Sequence, residues 1–177
     1  MPDLTLRECR PEDLPTQWRW EHAEPDAEWK RWDAPYFHER EEPSILTLEA
    51  FTARAEARPP STHRRIIALD EVCIGLVTRH EEAPAGGGWW ELGLLIYDPA
   101  HWGGGIGTRA LTLWTDATFR ETDAHVLTLT TWGGNERMIR AALRVGYQEC
   151  GRVPEARLWE GRRWDSVRLS LLRQVGP

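Results

Sequence analysis

The sequence lacks the features of a membrane protein and of an exported protein. No apolar run approaches the roughly 18 residues that a membrane-spanning helix needs. The first residues, MPDLTLRECRPEDL, have neither the basic region nor the apolar stretch of a signal peptide. Hydrophobic residues make up 41% and charged residues 28% of the 177 residues, which is typical of a globular domain with its own core. We therefore expect one cytoplasmic domain, spanning residues 1–177, without a membrane partner.

Cysteine is scarce and poorly placed for chemistry. Cys9, Cys73 and Cys150 lie far apart and form no CxxC pair, so we interpret them as free thiols in a reducing compartment. The histidines are not spaced as a metal-binding set either. We expect no metal ion.

An excess of positive charge is also missing. The net charge is −6, and residues 1–60 account for all of it, with 14 acidic and 8 basic residues against 14 of each in residues 61–177. A general nucleic-acid-binding protein would carry a basic face, so we expect no nucleic acid partner. The acidic first third fits either a solvated surface or a site that attracts a cation such as an amine.

Hydrophobic periodicity predicts an α/β domain with a mixed sheet. The strand–helix order from residue 89 onward predicts parallel neighbouring strands there, joined by right-handed crossovers. Residues 16–42 are rich in Trp and broken by Pro25 and Pro35, which indicates short helices and loops. Predicted strands are 4–10, 64–70, 72–79, 89–98, 125–132, 147–158 and 164–173, and the longer predicted helices are 44–58, 106–120 and 136–145.

One segment, YDPAHWGGGIGTRALTLW (residues 97–114), holds four glycines within five positions between a predicted strand and a predicted helix. Glycine lets backbone N–H groups converge on a ligand, and the N-terminus of the helix adds partial positive charge. The segment therefore predicts an anion site, most naturally for phosphate, rather than a plain turn.

Two familiar phosphate-binding loops fit this segment poorly. No Lys follows the glycines, which excludes a Walker loop. Gly105–Ala110 matches the dinucleotide pattern GxGxxA, but residues 98–104 separate it from its strand. The next strand ends in Leu129–Trp132 without the expected acid, so we disfavour a dinucleotide-dependent oxidoreductase.

Three motifs in order resemble the GNAT acyltransferase superfamily. Trp102–Gly107 (WGGGIG) resembles its pyrophosphate loop, with Trp in place of the usual Gln or Arg, as in the branch that acetylates ribosomal-protein N-termini and polyamines. Asn135–Tyr147 resembles its Asn-led helix ending in Gly-Phe or Gly-Tyr, and residues 159–173 resemble the closing hairpin of that branch. The resemblance covers about residues 65–173. It implies a single GNAT-like α/β (α+β) domain, with a mixed central sheet of about seven strands flanked by helices and splayed at an acyl-CoA cleft.

The same resemblance implies an N-acetyltransferase that uses acetyl-CoA as co-substrate. A primary amine, which could belong to a protein N-terminus, a polyamine or a small molecule, would attack directly, and a homodimer is compatible with the family. Residues 1–60 would supply the N-terminal strand and acceptor-side helices, and residues 61–177 the acyl-CoA-binding core and closing hairpin. The implied cofactor-binding residues are Trp102, Gly103, Gly104, Gly105, Ile106, Gly107 and Thr108 for the pyrophosphate, backbone groups of Leu95 and Tyr97 for the pantetheine arm, and the side chain of Asn135.

Acetyl transfer to an amine needs a neutral amine, donors for the oxyanion and a proton for the leaving thiolate. Glu91 is the candidate base, directly or through water, although it could instead orient an ammonium or simply face solvent. Ala142 stands where the family usually has its Tyr acid, so a Tyr cannot protonate the thiolate from that position. A non-catalytic acyl-CoA-binding sensor domain therefore stays open as an alternative. Asn135 could also be a simple N-cap for the helix that follows it.

The Trp-rich segment could bind the amine. Aromatic faces and carboxylates together attract a cation, although ordinary packing of the indoles is the alternative. The candidate cage residues are Trp18, Trp20, Trp29 and Trp32 with Glu21, Glu24, Asp26, Glu28 and Asp33.

Overall fold

A computed structural model describes residues 2–39 and 46–174 and contains one mixed seven-stranded sheet. The strands are β1 (Leu4–Arg7), β2 (Arg64–Leu69), β3 (Val72–Glu81), β4 (Trp89–Ile96), β5 (Val126–Trp132), β6 (Gln148–Trp159) and β7 (Arg162–Leu172). The helices are α1 (Leu14–Trp18), α2 (Pro35–His38), α3 (Leu48–Glu56), α4 (Ile106–Glu121) and α5 (Glu136–Val145). Short 3₁₀ turns cover Pro11–Asp13, Glu28–Arg31 and Pro99–His101, and a π turn covers Arg19–Ala23.

The predicted fold class is confirmed, with a sheet in the order β1-β2-β3-β4-β5-β7-β6. The helix predicted over 44–58 is shorter than expected, because it begins after Thr47, whose hydroxyl accepts a hydrogen bond from the N–H of Ala50 (3.2 Å). Residues 44 and 45 of that prediction lie outside the described residues. The predicted end of the helix at 136–145 is confirmed, because Gly146 adopts φ 106° and terminates α5.

The prediction of parallel neighbours after residue 89 is right for β4 and β5 and wrong for β5 and β6. β7 lies between β5 and β6 and pairs antiparallel with both. A two-residue turn at Glu160 and Gly161, both with positive φ, joins β6 to β7 as a hairpin. This local pairing, together with seven residue pairs between β5 and β7, leaves β6 at the edge of the sheet.

The main core lies between the sheet and helices α4 and α5. Trp114 of α4 is fully buried, and its indole N–H donates to the carbonyl of Thr78 (2.8 Å). A smaller core on the opposite face of the sheet includes Trp29, Ile66 and Tyr97 and carries the turns that follow α1. The sheet therefore separates the α4–α5 side from the Trp-rich N-terminal segment.

The first helical turn is fixed to β1 by a nearly buried ion pair. The guanidinium of Arg7 donates to both carboxylate oxygens of Asp13 (2.6 and 2.8 Å), and the N–H of Arg10 donates to the same carboxylate (2.7 Å). Burial alone would raise the pKa of Asp13, but these hydrogen bonds outweigh it and lower that pKa below its usual value. Asp13 thus stabilises the fold above its unfolded pKa of about 3.9, and this contribution is lost as the pH falls through the lower folded value.

We expect Asp13→Ala to lower the free energy of unfolding by about 3 kcal/mol at neutral pH, because it leaves Arg7 nearly buried without its partner. The neighbouring Glu12 is exposed, so Glu12→Ala should change the free energy of unfolding by less than about 0.5 kcal/mol. Urea unfolding at pH 7 and pH 3 provides the measurement. The difference in free energy of unfolding between Asp13→Ala and the parent should be smaller at pH 3 than at pH 7. Equal stability of the two variants at pH 7 would contradict the assigned role of the pair.

Candidate active site

The sheet opens between β4 and β5. The two strands pair only where Trp89, Trp90 and Glu91 meet Val126, Leu127 and Thr128, and they separate beyond that point. A cavity of about 500 Å³ fills the gap. Its walls are the second half of β4 (Leu92–Ile96), the end of β5 (Leu129–Thr131), the glycine loop, one face of α5 and residues of the Trp-rich segment.

The glycine loop forms one end of this cleft. Gly103, Gly104 and Gly105 all have positive φ (85°, 52° and 81°), a backbone region that side-chain-bearing residues rarely adopt. A Cβ added at any of the three would meet nothing within 4 Å. Glycine is therefore required here by the backbone conformation, not by close packing against the protein.

Several backbone donors of the loop have no acceptor within the described part of the chain: the N–H groups of Gly103, Gly104, Gly105, Gly107 and Thr108. Gly105 immediately precedes α4, so the positive end of a 16-residue helix is at the same place. Converging free amides at the N-terminus of a helix are the elements of an anion site.

Three arginines of α5, Arg137, Arg140 and Arg144, line the same cleft. Their spacing of three and four residues places them on one face of the helix. Arg140 also pairs with Glu136 at 3.0 Å. The cleft thus offers positive charge along α5 in addition to the amides of the glycine loop.

The predicted strand and loop residues have distinct surroundings. The indole N–H of Trp102 donates to the carbonyl of Ile96 (3.0 Å), which ties the glycine loop to the end of β4. Leu95 lines the cleft, whereas Tyr97 is fully buried and donates its hydroxyl to Glu21 (2.5 Å). Burial, followed by the nearby Glu21 carboxylate, raises the pKa of Tyr97, so its hydroxyl stays protonated.

Asn135 joins two elements at the edge of the cleft. Its side-chain oxygen accepts from the N–H of Met138 (3.2 Å), which is the N-cap arrangement considered from the sequence. Its amide N–H₂ donates to the carbonyl of Trp32 (2.9 Å), and the indole N–H of Trp132 donates to the same carbonyl (3.0 Å). Asn135 and Trp132 therefore anchor the Trp-rich segment to the end of β5.

Glu91 is at the last residue pair before the strands separate, one residue before the lining of the cleft begins at Leu92. Its carboxylate accepts a short hydrogen bond from the hydroxyl of Thr128. That hydroxyl in turn accepts from the indole N–H of Trp89 (2.8 Å). Glu91 is half-buried and directly precedes the wall residue Leu92, so it is held in one orientation at the point where the cleft begins.

The three tyrosines differ in access to the cleft. Tyr147 is buried with its hydroxyl 2.9 Å from that of Thr115, and burial raises its pKa. Ala142 is fully buried, so that position offers no proton donor. Tyr36 lines the cleft, and burial raises its pKa as well. Tyr36 is thus the tyrosine that lines the cleft, and its ring centroid is 4.8 Å from the guanidinium carbon of Arg157.

Most of the predicted cage residues have other partners. Trp29 is buried and donates to the carbonyl of Trp20 (3.1 Å). Glu21 accepts from Tyr97, and Glu24 pairs with Arg19 at 2.5 Å. Of the candidates, the residues that line the main cleft are Trp29, Trp32 and Asp33.

Sequence reasoning missed Tyr36 and the three arginines of α5 as residues of the cleft. The arginine spacing is visible in the sequence and could have indicated a basic face on α5. The role of Tyr36 carried no such signal, because it depends on how the Trp-rich segment folds over the sheet.

Within residues 2–39 and 46–174, no group of three or more His, Cys, Asp or Glu side chains could hold a metal ion. Burial raises the pKa of Cys73 to about 12, which keeps that thiol protonated. None of the described helices is long and apolar enough to cross a membrane.

A half-open mixed sheet, a glycine loop with free amides and a basic helix face define a domain built to hold an anionic ligand between two strands. The chain belongs to the acetyltransferase (GNAT) domain family, whose model matches residues 3–148. This confirms the family predicted from the sequence. No curated protein sequence matches the chain.

Solved structures share the fold across nearly the whole chain. The spermidine N-acetyltransferase of Vibrio cholerae, in complex with CoA and spermine, has 20% identity and a TM-score of 0.73, with 96% of this chain and 95% of that chain covered. The ribosomal-protein-alanine N-acetyltransferase of Brucella melitensis has 22% identity and a TM-score of 0.65, with 96% and 99% covered. The yncA protein of Salmonella typhimurium, solved with its cofactor acetyl-CoA, has 19% identity and a TM-score of 0.66, with 96% and 93% covered.

We expect Gly134→Ala to destabilise the anchor between β5 and the Trp-rich segment. The added Cβ would be 1.8 Å from the buried ring of Trp132, which must move and thereby disturb its bond to the carbonyl of Trp32. The cost should be about 1–3 kcal/mol, as for other overpacked sites. Gly133→Ala is the matched control, because its Cβ would meet atoms only at 3.6 Å or beyond. Thermal unfolding compares the two, and an equal loss in both variants would contradict this role of Trp132.

Proposed function

We propose that the protein transfers an acetyl group from acetyl-CoA to a primary amine by direct attack in the cleft between β4 and β5. The observation that supports this most strongly is the group of free N–H donors in Gly103–Thr108 at the start of α4. Such donors match the pyrophosphate of CoA. The family and the CoA or acetyl-CoA in the similar structures support the same ligand.

The pantetheine arm would lie along the free edge of β4. In this strand the N–H of Tyr97 donates to the carbonyl of Ile74 on β3 (3.0 Å). Backbone groups alternate between the two sides of a strand, so those of Leu95 also face β3. We therefore move the pantetheine contacts predicted for Leu95 and Tyr97 to the backbone of Leu94 and Ile96, which faces the gap.

For the chemistry, Glu91 remains the proposed base and Tyr36 becomes the proposed proton donor. Glu91 lies where the cleft begins and is held by Thr128, so it could take the amine proton through a water molecule. Tyr36 lines the cleft and is protonated at neutral pH, so it could give its proton to the leaving thiolate. Holding both substrates in one gap would supply much of the rate.

The amine would enter from the side of Trp29, Trp32 and Asp33. Indole faces and one carboxylate suit a cationic head group before it loses its proton. This wall fits a protein N-terminus or another small amine, and it also fits one end of a polyamine, as in the similar enzyme solved with spermine. The free thiols of Cys9, Cys73 and Cys150 agree with a cytoplasmic reaction.

Binding of acetyl-CoA can be tested with two matched glycine variants. Gly105 and Gly86 have nearly equal φ (81° and 80°), and a Cβ at either meets nothing within 4 Å. Both alanine variants should therefore lose about 1 kcal/mol of stability from backbone strain. Only Gly105→Ala should weaken acetyl-CoA binding, by roughly tenfold, because it crowds the amides of the loop. Isothermal titration provides the affinities, and equal affinities for the two variants would contradict the pyrophosphate site.

Turnover can be tested by the release of free CoA thiol from acetyl-CoA across polyamines, amino acids, aminoglycosides and short peptides with free N-termini. We expect one amine class to be acetylated, with kcat reduced about 100-fold by Glu91→Gln and by Tyr36→Phe, within the usual range for general acid–base groups. Glu56→Gln on the exposed surface of α3 is the control and should leave kcat unchanged. Tight acetyl-CoA binding without turnover on any amine would favour the sensor alternative, and unchanged kcat in Glu91→Gln would remove Glu91 as the base.

A further inference from the structure

Arg137 contacts two tryptophans whose rings also contact each other, with their centroids 6.5 Å apart. Its guanidinium carbon is 4.6 Å from the ring centroid of Trp32 and 4.8 Å from that of Trp102. Trp102 immediately precedes the glycine loop, whereas Trp32 belongs to the Trp-rich segment. Arg137 thus connects the proposed cofactor side to the proposed acceptor side.

Contact with aromatic faces orients a guanidinium without using its N–H groups. A cation–π contact is made through the face of the ring, and the five N–H donors of Arg lie in the guanidinium plane. Among the described residues, none accepts a hydrogen bond from the Arg137 side chain and no carboxylate forms an ion pair with it. Its donors are therefore oriented and available.

The free donors of Arg137 are next to the free amides of the glycine loop. Arg137, Trp102 and Gly103 line both the main cleft and a second recess that adjoins it. The other α5 arginines, Arg140 and Arg144, line the main cleft and not this recess. Arg137 is thus the α5 arginine placed at the glycine loop.

The position of Trp32 is itself fixed in two ways. Its indole N–H donates to the carboxylate of Glu28 (3.1 Å), which also lines the recess. Its backbone carbonyl accepts from Trp132 and Asn135, as described above. Loss of the Trp32 ring would therefore release Arg137 on one side while leaving the backbone anchor of the segment in place.

We infer that Arg137 binds the pyrophosphate of the cofactor together with the glycine-loop amides, and that the Trp32 ring orients Arg137 for this contact. The inference rests on the proposed use of acetyl-CoA and assigns a residue outside the predicted loop. Arg suits this position better than Lys, because its planar fork can stack and still donate two parallel hydrogen bonds to phosphate. Cofactor affinity would then depend on the acceptor-side wall through Trp32.

The experiment measures the dissociation constants of acetyl-CoA, acetyl-3′-dephospho-CoA and acetyl-pantetheine for the parent chain, Arg137→Ala and Arg137→Lys. We expect Arg137→Ala to weaken both phosphate-containing ligands by roughly tenfold, as for a lost charge-assisted hydrogen bond, and to leave acetyl-pantetheine unchanged. Arg137→Lys should recover only part of that loss. Arg54→Ala, which removes an exposed charge on α3, is the control and should bind all ligands as the parent does.

Trp32→Leu tests the orienting role through a double-mutant cycle with Arg137→Ala. We expect the effect of Arg137→Ala on acetyl-CoA binding to fall to about threefold or less in the Trp32→Leu background, because the guanidinium is then held on one side only, by Trp102. An undiminished tenfold effect in that background would overturn the role of Trp32.

Three further outcomes would overturn the assignment of Arg137: parent-like binding of acetyl-CoA by Arg137→Ala, an equal loss for acetyl-pantetheine, or full recovery by Arg137→Lys. The second would indicate a purely structural arginine, and the third a diffuse charge effect. Failure of the parent chain to bind acetyl-CoA would instead reject the proposed function itself. Thermal unfolding of each variant confirms that affinities are compared between folded proteins.

Discussion

The separation of β4 from β5 after the Glu91–Thr128 pair is the feature on which the rest of the site depends. Three residue pairs hold the strands together, and the hydrogen bond from Thr128 to Glu91 closes that paired region. Beyond it, the edge of β4 that faces the gap is left without a partner strand. The backbone N–H and C=O groups of an unpaired strand edge inside a sheet cost free energy unless another group forms hydrogen bonds with them. A ligand with amide groups along its length, such as the pantetheine arm, has the chemistry to do so.

Two walls of this gap are chemically different, and they meet where Trp32 contacts Arg137. The glycine loop and the arginines of α5 supply donors and positive charge. Trp29, Trp32, Asp33 and Tyr36 supply aromatic faces, one carboxylate and one hydroxyl. Most of the acidic residues described in the first 60 positions are exposed, Asp13 and Glu21 are bound to Arg7 and Tyr97 inside the fold, and Asp33 is the one that lines the cleft. The net charge of a segment is therefore a poor guide to the charge of the site it contributes to.

Most of the fold could be predicted from local patterns. The hairpin at Asp70 and Glu71 follows from the β-branched runs on either side of it, whereas the glycine loop before α4 and the stop at Gly146 follow from the backbone preferences of glycine. The insertion of β7 between β5 and β6 could not, because strand order is set by long-range pairing. The free N–H groups of the glycine loop at the start of α4 were likewise predictable, since their signal is contiguous in the sequence.

The side-chain partners around the cleft depend on tertiary contacts and were not predictable in the same way. Trp32 and Asn135 are 103 positions apart in the sequence and are joined by a hydrogen bond. The contact of Arg137 with Trp32 depends on that hydrogen bond. The same holds for Tyr97, whose backbone was predicted to contact the pantetheine arm but whose N–H donates to the carbonyl of Ile74 on β3. Residues fixed by the approach of distant segments are thus where sequence reasoning fails in this protein.

Hydrogen–deuterium exchange of the unaltered chain, with and without CoA, tests the central claim most directly. If the gap between β4 and β5 holds the cofactor, CoA should slow exchange at Gly103–Thr108 and at Leu94 and Ile96, whose N–H groups face the gap. The N–H of Tyr97, already bonded to Ile74, should change little. Slower exchange elsewhere with no change at the glycine loop or the free edge of β4 would contradict the account.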